Sequence, residues 1–376
     1  MKPLDFDKRL RAEEAEGLRR RLAAPAPADA VDFASNDYLG LRRDPRVVEA
    51  AHRALDAEGV GSGASRLLGG NTESHATLER ELATLKGTEA ALVFSSGYAA
   101  NLGLLTALCE PEDVILCDRL DHASLVDGAR LARADVGFYH HGDVEHLRRQ
   151  LRRRAPNGRI WIATDGVFSM DGVLAPLPDL VDVANEFDAM LIVDDAHGTG
   201  VLGPDGAGTV RHFGVETERI VQMGTLSKAL GAQGGFVAGP RDLIDWLVQR
   251  ARSLIYSTGI APVLAAAATE SVRIARTDTA LRERRVDRFA TLKSGLQEGG
   301  WEVLGEAPAP MLAVRVDGPD VALDLARRLA ARGVIAPAIR PPTVPRSSCR
   351  LRLAPTASMS PEAIARTLEA FDGLRA

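Results

Sequence analysis

Short apolar runs alternate with longer stretches of helical periodicity through the middle of the chain. The runs fall at residues 91–94, 114–117, 160–163, 191–193 and 220–223. The last three recur at an interval of about 30 residues, which is the length of a strand–helix–strand unit. Continuous apolar runs are typical of parallel strands whose two faces are both buried. The pattern therefore predicts an α/β protein with a mostly parallel sheet flanked by helices.

The pattern changes at both ends of this central part. Residues 1–23 indicate an amphipathic helix rich in Arg and Glu, and residues 24–30, with two prolines, indicate a linker. After residue 240, helical stretches at 241–255 and 262–299 lead to alternating strands at 311–316 and 350–353. We expect an N-terminal segment at 1–45, a large domain at 46–255 and a smaller C-terminal α+β domain at 256–376.

Composition and charge exclude several classes of protein. With 45% hydrophobic and 26% charged residues, the 376-residue chain matches a globular protein that can bury a sizeable core. The 46 basic and 51 acidic residues give a net charge of −5, which argues against binding to nucleic acid. Cys109, Cys117 and Cys349 lack the spacing of a disulfide framework or a zinc knuckle. We expect a cytoplasmic protein.

One uncharged stretch, residues 90–109, is about as long as a membrane span. Ser95, Ser96 and Gly97 interrupt it, and Asn101 follows. A strand, a tight turn and a buried helix fit this stretch better than a span. The N-terminus has no apolar core, so it does not resemble a secretory signal. We expect no membrane partner.

Polar clusters follow the apolar runs, at residues 95–98, 118–122, 165–169, 194–198 and 224–228. In an open parallel sheet, ligands bind beyond the carboxyl ends of the strands. Since all five clusters follow predicted strands, we expect their hydroxyls, carboxylates, two His and one Lys to meet at one edge of the sheet.

Lys228 is unusual for its residue type. Of the 46 basic residues only five are Lys, which leaves 41 Arg. A surface Lys at a helix start is the ordinary interpretation, but a positive charge there opposes the helix dipole. Lys can form an imine once its pKa is lowered, and Arg cannot readily do so. We therefore expect Lys228 to be the Schiff-base lysine of the site.

Asp194 and His197 lie in the fourth cluster. Asp194 has three interpretations, and His197 takes part in the third. Asp194 could cap a helix, or it could pair with a protonated pyridine nitrogen, as pyridoxal phosphate (PLP) chemistry requires. With Asp195 and His197 it could instead bind a divalent metal in a hydrolase. The chain offers no further His/Glu pair at metal-ligand spacing. We expect no metal site.

Two further features suit an anionic ligand. Ser96-Gly97-Tyr98 opens a predicted helix after a strand, where free N–H groups bind phosphate, and Thr225 adds a hydroxyl. His122 could stack on a cofactor ring or form a surface pair with Asp121. Arg350 and Arg352 alternate on a predicted strand, so they share a face and could hold a carboxylate.

These residues together resemble the α-oxoamine synthase family of fold-type I PLP enzymes. The matching segments are residues 35–40, 61–66, 118–122, 165–172, 194–200 and 225–228. The resemblance extends from about residue 30 almost to the C-terminus. It implies PLP as cofactor, fold type I with a large and a small domain, and a homodimer with shared active sites.

The resemblance also assigns roles to individual residues. On the cofactor side these are Lys228 (imine and proton transfer), Asp194 (ring nitrogen), His197 and Ser169 (ring hydroxyl), His122 (ring face), and Gly97, Tyr98 and Thr225 (phosphate), with Ser257 and Thr258 reaching the phosphate of the partner subunit. On the substrate side they are Arg352 (carboxylate), with Arg350 as an alternative, and Asn36, His122, Thr343 and Arg19.

The run at residues 339–345 is similar to that of the branch of this family that acts in biotin synthesis. It implies a decarboxylative condensation of L-alanine with a pimeloyl thioester, carried by coenzyme A or by acyl carrier protein. A glycine-using synthase with an acetyl or succinyl thioester is the alternative. The sequence departs from the family at Asp165 (usually Glu), Ser347 (commonly Gly) and Met359 (often His).

Overall fold

The computed structural model describes residues 5–22, 25–154, 157–215 and 218–374. The strands, in chain order, are β1 Val31–Asp32, β2 Ala90–Phe94, β3 Val114–Asp118, β4 Asp135–Tyr139, β5 Ile160–Asp165, β6 Val167–Phe168, β7 Val173–Leu174, β8 Met190–Asp194, β9 Ile220–Thr225, β10 Gly235–Gly239, β11 Val303–Leu304, β12 Leu312–Arg315, β13 Val334–Ile335, β14 Ala338–Ile339 and β15 Arg350–Leu353.

The helices, in chain order, are α1 Phe6–Ala15, α2 Pro45–Glu58, α3 Glu73–Lys86, α4 Gly97–Leu108, α5 Ala123–Leu131, α6 Val144–Arg152, α7 Leu177–Glu186, α8 Thr209–Phe213, α9 Arg241–Arg250, α10 Arg252–Ile255, α11 Pro262–Thr277, α12 Thr279–Glu298, α13 Pro319–Ala330 and α14 Pro361–Asp372. Short 3-10 turns occupy Leu41–Arg43, Pro204–Gly206 and Arg346–Ser348.

The large sheet contains, among the described residues, seven strands in the order β2-β10-β9-β8-β5-β3-β4. Parallel pairing joins β9, β8, β5, β3 and β4, and β10 lies antiparallel between β2 and β9. All five apolar runs of the sequence lie in strands of this sheet. The predicted α/β fold with a mostly parallel sheet is therefore confirmed.

Both faces of the large sheet are covered by helices. In β3, Ile115 and Cys117 pack in one cluster with Leu104 of α4, whereas Leu116 packs in another with Leu180 of α7. Successive side chains of a strand point to opposite faces, so both faces must be apolar to be buried. This is the physical reason why the strands appear in the sequence as continuous apolar runs.

A smaller antiparallel sheet, in the order β11-β12-β15-β14, lies in the C-terminal part of the chain. Its core joins Leu312 and Leu351 to Phe289 of α12 and Phe371 of α14. The predicted strands at 311–316 and 350–353 correspond to β12 and β15. Val31 of β1 pairs with Val334 of β13, so the N-terminal segment joins this part of the molecule. The domain boundaries at residues 45 and 255 stay predictions.

Some predicted elements differ in detail. Helix α1 is shorter than the predicted helix at 1–23, and none of its residues is buried; residues 1–4 and 23–24 lie outside the described part. The stretch 90–109 forms β2, a turn and α4, as predicted. Across the described part of the chain, no helix combines the length and the apolar composition that crossing a membrane requires.

The register of the large sheet places the polar clusters at one edge. Asp165 at the end of β5 is paired with Asp194 at the end of β8, which is paired in turn with Met223 of β9. Because these strands are parallel, the segments that follow them emerge on the same side of the sheet.

Candidate active site

A cavity of about 220 Å³ lies at this edge of the sheet. All five strand-end clusters contribute to its lining, which consists of Ser96, Gly97, Tyr98, His122, Asp165, Asp194, Ala196, His197, Thr225, Ser227 and Lys228, together with Ser124 and Met223. The structure thus brings together seven of the residues that the sequence predicted for the site, namely Gly97, Tyr98, His122, Asp194, His197, Thr225 and Lys228.

Lys228 lies in the nine-residue segment between β9 and β10. This segment contains bends and turns and no helix, so the helix start considered for Lys228 is not observed. Its Nζ lies 2.9 Å from Nε2 of His197. Burial lowers the pKa of Lys228, although the charge of Asp194 acts in the opposite direction. A buried amine with a lowered pKa is suited to act as a nucleophile.

Asp194 is held by two hydrogen bonds. Nδ2 of Asn101 donates to its Oδ2 at 2.7 Å, and the backbone N–H of Ala196 donates to its Oδ1 at 3.0 Å. Asn101 also donates to Ser124 at 2.8 Å. Sequence reasoning did not assign Asn101 to the site. The available signal was its place as a polar side chain on the apolar helix α4.

His197 connects the amine to a buried tyrosine. Its Nδ1 lies 2.6 Å from the hydroxyl of Tyr38, on the side of the ring opposite Lys228. Burial, together with the charges of Lys228 and Arg352, holds the pKa of His197 well below its ordinary value. Burial raises the pKa of Tyr38 to about 12. Both groups are therefore neutral near pH 7, and Tyr38 is a further site residue that sequence reasoning missed.

Arg352 extends this network from the small sheet. Its Nη2 donates to Oδ1 of Asn36 at 2.9 Å and to Tyr38 at 3.3 Å, and its Nε donates to the carbonyl of Ser169 at 2.7 Å. Ser169 contributes its backbone to this contact, and its side chain does not line the cavity. Arg350 forms an ion pair with Asp171. Of the two arginines, Arg352 is the one joined to the cavity network.

His122 caps helix α5 at the rim of the cavity. Its Nδ1 contacts Oγ of Ser124 at 2.7 Å, and its backbone N–H donates to Asp165 at 3.2 Å. Burial lowers the pKa of His122. Burial and the neighbouring charge of Asp194 raise the pKa of Asp165 well above its ordinary value. The site thus contains one carboxyl group that favours its neutral form.

Hydroxyl groups and a helix N-terminus also line the cavity. Ser96 caps α4 by accepting from the N–H of Ala99 at 3.1 Å, so Gly97 and Tyr98 form the first turn of this helix. Oγ1 of Thr225 lies 2.8 Å from Oγ of Ser227. A helix N-terminus next to two hydroxyl groups is suited to binding a phosphate group.

Four predicted residues neither line the cavity nor take part in the hydrogen bonds of Arg352 described above. Arg19 pairs with Glu14, and Thr343 is exposed and accepts from Arg20 at 3.4 Å. Thr258 is exposed, and it forms a single bridge to Ser65. Ser257 follows α10 in the same segment and is partly buried. Within one chain these four residues do not reach the cavity lining.

The metal-dependent hydrolase that the sequence left open requires Asp194, Asp195 and His197 to converge. Asp195 instead points away to Lys86, at 2.5 Å, while Asp194 binds Asn101 and His197 binds Lys228. Within the described residues, no group of three or more His, Cys, Asp or Glu side chains could hold a metal ion. The geometry gives this alternative no support.

The model of the aminotransferase class I and II family matches residues 28–371. The chain belongs to this family. An 8-amino-7-oxononanoate synthase from Geobacter metallireducens is 44% identical to the chain over 375 residues, which cover 96% of each protein.

Solved structures of this family share the fold. A serine palmitoyltransferase from S. paucimobilis with a bound PLP–myriocin adduct superposes with a TM-score of 0.92 at 29% identity, covering 98% of this chain and 96% of that chain. The 8-amino-7-oxononanoate synthase from Francisella tularensis gives a TM-score of 0.77 at 27% identity, covering 92% and 98%. The family and its structural neighbours are PLP-dependent.

The donor set of the cavity fits PLP. An amine for its aldehyde, a carboxylate for its ring nitrogen and a helix N-terminus for its phosphate are present in Lys228, Asp194 and the first turn of α4. Asn101 already fixes one oxygen of Asp194. The three groups come from separate strand ends around one cavity, so a single ligand can reach all of them.

The neutral carboxyl of Asp165 predicts a pH effect on stability. Above the ordinary Asp pKa of 3.8, the folded protein still holds this proton while the unfolded chain has released it. The folded state then binds more protons, so this group makes the protein less stable as pH rises. Asp165→Asn keeps an acceptor for His122 and removes the titration. We expect the melting temperature of this variant, relative to wild type, to increase between about pH 4 and pH 8.

Thermal denaturation of the apoproteins over this pH range provides the measurement. Asp317→Asn, at an exposed position, is the matched control and should show a constant difference from wild type. A difference for Asp165→Asn that stays constant or shrinks as pH rises would contradict a neutral Asp165.

Proposed function

We propose that this chain catalyses the decarboxylative condensation of L-alanine with a pimeloyl thioester, giving 8-amino-7-oxononanoate, CO2 and a free thiol in biotin synthesis. One observation carries the proposal. The amine of Lys228 and the carboxylate of Asp194 line the same cavity, and the guanidinium of Arg352 is joined to this cavity through Tyr38 and His197. The names of the relatives, such as the Geobacter enzyme, support the choice of substrates.

In this proposal PLP is held by the residues that line the cavity. Lys228 would hold its aldehyde carbon, Asp194 would pair with its ring nitrogen, and Gly97, Tyr98 and Thr225 would hold its phosphate. His122 would contact the ring, and His197 and Ser169 would serve the ring hydroxyl. When bound, PLP supplies the electron sink that makes the α-carbon of an amino acid acidic and allows loss of CO2.

Proton transfer is the task of Lys228. Its amine takes the proton from the α-carbon of alanine and later returns a proton to the carbon that has lost CO2. The lowered pKa of Lys228 helps this role, because the group must be neutral to accept a proton. His197, 2.9 Å away and itself neutral, keeps the amine oriented toward the cavity.

The substrate carboxylate is assigned to Arg352 and Asn36. Arg352 uses Nε and Nη2 for Ser169, Asn36 and Tyr38, which leaves Nη1 for a carboxylate oxygen. Arg19 and Thr343 are assigned to the acyl side. Arg340 donates to the carbonyl of Arg19 at 3.2 Å, and this contact ties the N-terminal segment to the run at 339–345. A glycine-using synthase with a shorter acyl thioester is the alternative.

We also propose a homodimer with shared active sites. Large apolar side chains are exposed along two linked segments: Leu68 is 83% exposed, Tyr256 is 72% exposed, and the Ser65–Thr258 bridge joins the two loops. Exposed apolar groups of this size commonly mark an interface between proteins. In such a dimer, Ser257 and Thr258 would serve the phosphate of the partner subunit.

The acyl carrier is proposed to be coenzyme A or acyl carrier protein, and steady-state assays with each will separate them. A cytoplasmic location is proposed as well. It is supported by Cys109, Cys117 and Cys349, which are free thiols, as is usual in a reducing compartment.

Replacing Lys228 tests the cofactor assignment. Wild-type protein incubated with PLP should develop a visible absorption band that Lys228→Ala lacks, and the variant should lose condensation activity by at least about 1,000-fold because the nucleophile and the base are both gone. Lys293→Ala, in which only a contact to the carbonyl of Gly305 is lost, is the control and should keep the band. Wild-type protein that takes up no PLP would refute the proposed function.

Replacing Arg352 tests the substrate assignment. Arg352→Gln should raise KM for L-alanine by roughly 10- to 100-fold, since a hydrogen bond to a charged group contributes about 1.5–3 kcal/mol. Arg315→Gln on the neighbouring strand β12, where Arg315 pairs with Glu302, is the control. CO2 release measured with alanine and pimeloyl-CoA against glycine and acetyl- or succinyl-CoA decides between the two substrate sets. Preference for glycine would favour the alternative.

Replacing Tyr256 tests the dimer. Light scattering during gel filtration should give the wild-type protein twice the 40.1 kDa chain mass. Tyr256→Glu should shift the protein toward monomer, because it places a charge in the proposed interface. Val321→Glu, at an exposed position of α13, should remain dimeric. A monomeric wild-type protein at about 10 μM would rule out a stable dimer.

A further inference from the structure

Lys86 is a fully buried lysine that the proposed chemistry does not use. It is the last residue of α3, and its side chain is 0% exposed. Its Nζ donates to Oδ2 of Asp195 at 2.5 Å and to the carbonyl of Ala207 at 2.9 Å. Burying a lysine is costly, so a lysine enclosed in this way needs a specific partner.

The partner, Asp195, lies between Asp194 and the turn that carries His197. Its Oδ1 accepts from the backbone N–H and the hydroxyl of Thr209, at 3.1 and 2.8 Å. Its backbone carbonyl accepts from Gly198 and Thr199, at 3.1 and 2.9 Å, and these two bonds close the turn around His197. The orientation of Asp195 therefore sets the path of the chain between Asp194 and His197.

The carboxylate of Asp195 is tightly enclosed by the backbone at two glycines. A Cβ atom placed on Gly198 would lie 2.1 Å from Oδ1 of Asp195, and one on Gly208 would lie 1.7 Å from Oδ2. Side chains at these two positions would displace the carboxylate, so glycine is required for its close approach. Lys86 is then the group that holds Asp195 from the side of α3.

We propose that Lys86 is a positioning residue: through Asp195 it fixes the turn that presents Asp194 and His197 to the cavity. It touches neither the cavity groups nor, in the proposed function, the substrate. It acts across the sheet, from the end of α3 to the carboxyl end of β8. Its charge also balances that of Asp195, which is adjacent in the chain to the functional carboxylate of Asp194.

The proposal predicts more than a loss of stability. Lys86→Met leaves the negative charge of Asp195 unbalanced beside the site, and Asp195→Asn leaves the positive charge of Lys86. In the PLP-loaded proteins the pH midpoint of the visible absorption should therefore move upward in Lys86→Met and downward in Asp195→Asn. The double variant, which removes both charges, should return the midpoint to near the wild-type value.

The turn should also lose its order in the absence of cofactor. Amide hydrogen exchange of residues 196–202 in the apoproteins should become at least tenfold faster in Lys86→Met than in wild type, with α7 unchanged as an internal reference. In the loaded enzyme kcat should fall by between about 10- and 100-fold, while KM for alanine changes less than about threefold. Only this last measurement rests on the proposed function. Absorption and exchange do not involve the acyl substrate.

Lys293→Met is the matched control, since it removes another partly buried lysine that donates to a backbone carbonyl. It should change neither the absorption midpoint nor the exchange of residues 196–202. If Lys86→Met merely lowers the melting temperature, with the absorption midpoint, the exchange and kcat per bound cofactor unchanged, the residue is structural and the proposal is wrong. If Lys86→Met does not fold, the other two variants decide the question. A lowered absorption midpoint in Asp195→Asn that returns to near the wild-type value in the double variant supports the proposal, and an unchanged midpoint in Asp195→Asn contradicts it.

Discussion

The site depends on how three of the buried carboxyl groups at one edge of the sheet are accommodated. Asp165 and Asp194 are paired across adjacent strands, and Asp195 follows in the chain. Three unpaired charges could not be buried so close together. Each group has its own solution: Asp165 favours its neutral form, Asp194 accepts two hydrogen bonds, and Asp195 pairs with the ammonium of Lys86. Of the two that line the cavity, Asp165 and Asp194, only Asp165 favours its neutral form.

This division of roles determines the properties of the amine. Burial lowers the pKa of Lys228 and the charge of Asp194 raises it, so the balance depends on how much negative charge faces the cavity. Because Lys86 neutralises Asp195 from behind the turn, Asp195 adds little to that charge. The network of partners therefore keeps Lys228 buried and reactive, where additional carboxylates would keep it protonated.

Much of the fold could be predicted from the sequence, because parallel strands with two buried faces leave continuous apolar runs. The same runs located the strand ends, and with them Lys228, Asp194 and His197. Residues whose role depends on distant packing were missed. Lys86 lies in an ordinary helical pattern, and nothing local marks its burial against Asp195. Tyr38 reaches His197 across 159 positions of sequence, and the antiparallel β10 depends on its neighbours β2 and β9.

The small sheet contributes Arg352 to the site and also holds neighbouring parts of the site in place. Arg352 of β15 bonds to the backbone at Ser169 and to the Tyr38–His197 pair, so one residue of the small sheet contacts the turn after β6 and the N-terminal segment. Arg350, two residues earlier on the same face, fixes this strand to Asp171 of the same turn. A displacement of β15 would thus move Arg352, the proposed carboxylate clamp, and loosen the support of His197 together. In the proposed function, substrate binding and orientation of the amine are therefore coupled through a single strand.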